Sequence, residues 1–95
     1  MDREEAQTLL IRITGRVQGV GFRAWTRRQA MALDLSGWVR NEDDGSVRAF
    51  FRGEPDSLRE ITKRLHEGPA GAAVSRIERE DDAGREYVEG FEVRY

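Results

Sequence analysis

Ninety-five residues, a charged fraction of 36%, a net charge of -2 and no cysteine describe one soluble domain with a modest core, too short for two nucleotide-binding halves. The acidic balance gives no overall pull toward nucleic acid or an anionic membrane, so basic residues must act locally, and disulfide and thiolate chemistry are excluded. Fifteen of the sixteen basic residues are arginine, which suits fork-like phosphate recognition but fits genome composition or growth temperature equally well.

The N-terminal "MDREEAQ" is acidic, and the apolar run after it is too short for a signal peptide or a membrane span. A cytoplasmic protein is expected, with residues 1–7 flexible. Leu9, Ile11 and Ile13 alternate with Leu10, Arg12 and Thr14, the period of a strand with one buried face, and Gly15 ends it. From Phe22 to Leu33 the chain is rich in helix formers, with Phe22, Trp25, Ala30 and Leu33 near helical spacing. "LSGWVRN" predicts a strand, "EDDG" a turn, and "SVRAFFRG" a second strand alternating Val47, Ala49 and Phe51 against Arg48, Phe50 and Arg52. Pro55 suits a first helical turn, Leu58, Ile61 and Leu65 form an apolar stripe, and Gly68-Pro69 stops the helix, which gives a second helix over 55–67. "AAVSRIERE" is a weaker strand, and "GFEVRY" puts Phe91, Val93 and Tyr95 on one face. The stretch Glu67 to Ala73 is the expected flexible loop.

The order βαββαβ predicts an α+β, ferredoxin-like sandwich: an antiparallel four-stranded sheet with two helices on one face, and a possible short extra strand at the C-terminus. Residues 1–95 form a single domain without repeats or linkers. Fold alone assigns no activity.

"GRVQGVGFR", Gly15 to Arg23, admits three readings. In the first, the glycines only let the chain turn from strand to helix, which leaves the arginine unexplained. A dinucleotide fingerprint is the second, since Gly19-x-Gly21-x-x-Ala24 fits the loose pattern and Glu42 lies downstream. It fails because a hairpin follows where a parallel strand is needed, and too little chain remains. A phosphate loop is excluded too, because the only lysine, Lys63, lies in the second helix. The third reading is an anion cradle: a glycine-rich segment entering a helix presents several free N–H groups to one point, the helix dipole favours an anion there, and Arg23 can clamp two phosphate oxygens.

Taken with "GWVRNEDDGSV", Gly37 to Val47, the first block resembles the two signature segments of the acylphosphatases, small ferredoxin-like hydrolases of acyl phosphates. The resemblance spans essentially the whole chain, making it one acylphosphatase-like domain. It implies that Arg23 binds the phosphate, that Asn41 positions the attacking water, and that the backbone of Gln18, Gly19, Val20, Gly21 and Phe22 completes the cradle. Gly21 stands at a position that varies in the family. Arg48 stands where an acidic or neutral residue is common, which would put a positive charge near the substrate mouth.

The chemistry agrees with these residue types. An acyl phosphate leaves as a carboxylate whose conjugate acid has a pKa of about 4, so no general acid is needed, and neither block contains cysteine, histidine or a metal cluster. No metal and no cofactor are expected. Positioning and charge stabilisation remain, and the Asn41 carboxamide can orient a water although it is too weak a base to deprotonate it. His66 is structural by this reading, Asp43-Asp44 a solvated turn, and Trp25 and Trp38 packing residues. Two other functions share the topology. An RNA-recognition motif would use Phe50 and Phe51, but "SVRAFFRG" lacks the glycine-aromatic pattern and the chain lacks a basic footprint. The other is a catalytically silent regulatory or partner-binding domain. The expected partner is a small-molecule acyl phosphate, with no nucleic acid, no membrane and a monomeric chain.

Overall fold

A computed structural model describes residues 6–81 and 88–95. The chain runs β1 (Gln7–Arg16), α1 (Phe22–Ala32), β2 (Ser36–Asn41), β3 (Val47–Gly53), α2 (Pro55–Glu67), β4 (Ala73–Glu80) and β5 (Phe91–Arg94). Of the segment expected to be flexible, residues 1–5 lie outside the described residues, and Gln7 already belongs to β1.

The sheet order is β4-β1-β3-β2-β5. β1 pairs antiparallel with both β3 and β4, and β2 antiparallel with β3. These four strands and two helices are the predicted ferredoxin-like sandwich. The fifth strand is real, but it runs parallel to β2, pairing Gly37 with Phe91 and Val39 with Val93. The sheet is therefore mixed where an antiparallel one was expected. Direction explains it: β4 runs opposite to β2, and a chain that reverses after β4 reaches the far edge running with β2.

The main core lies between the sheet and its helices. Ile11, Ile13, Val39, Val47, Ala49 and Phe51 face Phe22, Ala30, Leu58, Ile61 and Leu65. The α2 stripe is all buried, and each such side chain contributes up to about 1.5–3 kcal/mol relative to exposure. Pro55 opens that helix, and the Gly68 N–H donates to Arg64 O at 3.0 Å where it ends. Simple alternation does not account for Leu10 and Phe50, which point to the helix-free face. There they form a second cluster with Trp38 and Val88, with Trp38 and Phe50 stacked at 6.2 Å and the Arg40 and Arg94 guanidinium groups 4.8 and 5.0 Å from the indole centroid.

At the site end of β1 the pairing with β4 slips between Thr14 and Gly15. A Cβ on Gly15 would sit 2.2 Å from Ala73 O, so only glycine permits the two backbones to approach there. The irregularity turns the chain out of the sheet and into the loop that precedes α1.

Candidate active site

Residues 17–21 link the end of β1 to α1. Val17 and Phe22 are buried and anchor this loop to the core at both ends. Between them Gly19 and Gly21 hold φ of 78° and 76°, left-handed values that cost a residue with a Cβ roughly 1 kcal/mol or more. Gly21 is the N-cap of α1 and offers no side-chain cap. Among the described residues, none of the backbone N–H groups of Gln18, Gly19, Val20 and Gly21 donates to a protein acceptor. The first-turn N–H groups of α1 are free by the nature of a helix start. Free N–H groups in alternating backbone conformations at a helix N-terminus form an anion-binding concavity.

The Gln18 side chain does something the sequence did not reveal. Its Nε2 donates to Glu42 O and to Ser46 O, both at 2.9 Å, and the Glu42 N–H donates to Ser46 O at 2.8 Å. One carboxamide thus ties the glycine loop to the β2–β3 hairpin, whose first arm ends in Asn41. The two segments picked out by sequence are joined here by hydrogen bonds.

A cavity of about 230 Å³ is bordered by Gln18, Gly19, Gly21, Phe22, Arg23 and Asn41, and closed by Val17, Ala24, Val93 and Tyr95. Val20 does not border it: its side chain packs toward the core. Arg23 lies in the first turn of α1, half-buried. Its Nη1 donates to Arg94 O at 3.1 Å, and its guanidinium lies 4.5 Å from the Tyr95 ring centroid. Among the described residues no carboxylate pairs with it. Asn41 Oδ1 is buried and has no hydrogen-bond partner among the described residues, a state that costs about 1–3 kcal/mol unless something pairs with it. The site therefore offers one uncompensated cation, a row of free amides and one unpaired acceptor.

The contacts of β5 with Arg23 went unnoticed in the sequence because 71 residues separate the partners. A signal was present: Phe91, Val93 and Tyr95 share one face, and Phe91 lies in the main core, so Tyr95 falls on the α1 side.

Arg48 is not at the mouth of this cavity, contrary to expectation. It alternates to the helix-free face, where its Nε meets Glu80 Oε1 at 3.0 Å. Arg12 Nε takes the other oxygen of Glu80 at 2.9 Å, and its Nη1 reaches Asp44 Oδ2 at 3.1 Å and Ser46 Oγ at 2.7 Å. Glu80 is held below the usual carboxylate range chiefly by the Arg12 hydrogen bond. Asp44 is held low chiefly by the Ser46 hydroxyl, which donates to it at 2.6 Å. Asp43 is exposed in the turn and His66 is exposed in the last turn of α2. Trp25 packs on Phe22. Phe50 and Trp38, at 2% and 5% exposure, have no free ring face on which to stack a base. Among the described residues no group of three or more His, Cys, Asp or Glu is placed to hold a metal ion, and no helix is long and apolar enough to cross a membrane.

The fold is a ferredoxin-like sandwich, and its glycine-lined cavity holds an arginine with no carboxylate partner among the described residues. Comparison with known proteins gives the family. The acylphosphatase family model matches residues 9–93. An acylphosphatase of Salinibacter ruber is 52% identical over 87% of this chain and 87% of its own length. One of Rhizobium etli is 53% identical over 83% and 82%. The structure of an acylphosphatase from Coxiella burnetii superposes with a TM-score of 0.87 at 39% identity, covering 95% of this chain and 94% of that one. The chain belongs to the acylphosphatase family, and its enzyme class is acylphosphatase.

Proposed function

We propose that this chain hydrolyses the carboxyl–phosphate bond of small acyl phosphates as a cytoplasmic monomer, with Arg23 and the backbone amides of Gln18 to Phe22 holding the phosphoryl group and Asn41 holding the attacking water. One observation carries the reading: Arg23, free of any carboxylate among the described residues, shares a cavity with the unpaired buried acceptor of Asn41. Arg23 and the amides neutralise the phosphoryl oxygens. A water that donates one hydrogen to Asn41 Oδ1 relieves the cost of that orphaned atom and turns a lone pair toward phosphorus.

The water oxygen bonds to phosphorus as the bond to the acyl oxygen breaks, and its electron pair leaves with the carboxylate. The water proton passes to a phosphoryl oxygen, and inorganic phosphate and a carboxylate result. No leaving-group proton is needed at a carboxylate with conjugate-acid pKa of about 4. The protein supplies orientation and fixed charge.

Hydrolysis of acetyl phosphate and benzoyl phosphate by the purified protein tests the proposal. Turnover is expected without added metal and unchanged by a chelator. A rate abolished by chelation and restored by one divalent ion, or no turnover at all, would overturn it.

A further inference from the structure

A second concavity, of about 530 Å³, opens at the other end of the sheet, between the first half of α2 and the helix-side ends of β1 and β4. β1 begins beside it at Gln7 and ends at Arg16 beside the glycine loop, so about 30 Å of strand separates it from the Arg23 cavity at roughly 3.3 Å per residue. Its floor is apolar, from Leu9 and Leu58. Three cations rim it: Arg59 and Lys63, one helical turn apart on α2, and Arg79, which lies on β4 on the same face as the half-buried Ile77. Arg59 is paired with Asp56. Among the described residues, Lys63 and Arg79 have no ion-pair partner and no carboxylate lines the concavity. The Thr62 hydroxyl, also in the lining, donates back to Leu58 O at 2.9 Å.

We infer that this concavity is a binding site for a small organic anion with an apolar body, distinct from the Arg23 cavity. Its volume lies within the range of small-ligand sites, roughly 300–1,000 Å³. An apolar floor under uncompensated cations selects one chemistry: a carboxylate, phosphate or sulfonate head set between Lys63 and Arg79, with an aromatic or branched aliphatic body on Leu9 and Leu58. Neither half of such a ligand suffices. A bare inorganic anion gains nothing from the floor, and exposed cations hold it weakly in water. An uncharged apolar body leaves both cations unanswered.

Amide NMR titration of the whole protein with naphthalene-2-carboxylate tests the assignment, with sodium acetate and 2-naphthalenemethanol as the two half-ligands. Saturable shifts are expected at Thr8, Leu9, Thr62 and Lys63 for the carboxylate alone, and they should persist in saturating inorganic phosphate. The variant Lys63→Glu/Arg79→Glu changes two exposed side chains, so it should keep the parent rate on acetyl phosphate while binding the carboxylate at least tenfold more weakly. The inference is overturned if either half-ligand reproduces the shifts, if the shifts centre on Gly19 to Arg23, or if the double variant binds as the parent does.

Discussion

The two faces of the sheet treat their charges in opposite ways. On the helix-free face Arg12 and Arg48 share Glu80, Arg12 also reaches Asp44, and Arg40 meets Glu42 at 2.8 Å. At the helix side, among the described residues, Arg23 meets a backbone carbonyl and an aromatic ring but no carboxylate, and Asn41 keeps an unanswered acceptor. The first arrangement is self-satisfied and holds strands together; the second leaves a cation without a carboxylate and an acceptor without a donor among the described residues. A sequence rich in arginine does not distinguish the two. What distinguishes them is where the fold puts the carboxylates.

The contrast is broken most sharply at Arg23. Arg23→Lys keeps the charge but loses the two-pronged geometry, and removing one partner of a desolvated charge pair costs on the order of 3–5 kcal/mol. Turnover of benzoyl phosphate should fall several hundredfold or more, with an unchanged circular dichroism spectrum. Near-parent turnover would place the phosphoryl clamp elsewhere. Asn41→Ala should lower kcat about a hundredfold to a thousandfold, and Asn41→Asp should not rescue it, because a new negative charge repels the phosphoryl group. A folded Asn41→Ala protein with parent kcat would make Asn41 a turn residue only. His66→Ala, on an exposed position far along α2, should behave as the parent in the same assay.

Gln18→Leu is a milder cut, since it leaves the Arg23 and Asn41 side chains in place and removes only the link between their segments. Loss of two hydrogen bonds that set the spacing of Arg23 and Asn41 should cost about tenfold in kcat/KM. Unaltered kinetics would mean that the loop and hairpin hold their positions without it. The smallest effect on catalysis belongs to the other face. Glu80→Gln should leave turnover at neutral pH intact while lowering stability by about 1 kcal/mol. Glu80 and Asp44 are both held low in the folded chain, so the unfolded chain takes up protons first as pH falls. Their stabilisation is therefore fully present above about pH 5 and is lost through pH 4 and below. Urea midpoints measured at pH 7, 4 and 3 should show a steep acid decline in the parent and a shallower one in Glu80→Gln; parallel declines would remove Glu80 from the account.

Much of this architecture could be read from periodicity. The alternation in β1 and β3, the stripe Leu58–Ile61–Leu65 and the Asp-Gly turn each carry a local pattern, and local patterns place elements. Partners far apart in the chain leave no such trace. The second cluster escaped because alternation assigns a strand one buried face, whereas Leu10 and Phe50 are buried on the other by Trp38 and Val88. The family resemblance set the charge of Arg48 near the mouth of the site; the parity of β3 sends the side chain to the opposite face, against Glu80. The acylphosphatase motifs named Arg23, Asn41 and the glycine loop as a set, but motifs give no distances. That Gln18 links the two segments, and that β5 brings Arg94 and Tyr95 onto Arg23, is known only from the folded chain.

The central claim is that the anion and the water are held by different residues of one cavity. Calorimetric titration of inorganic phosphate into the parent, Arg23→Lys and Asn41→Ala proteins tests it most directly. The account predicts that phosphate binding is lost in Arg23→Lys and nearly unchanged in Asn41→Ala. Parent-like phosphate binding in a folded Arg23→Lys protein would contradict it.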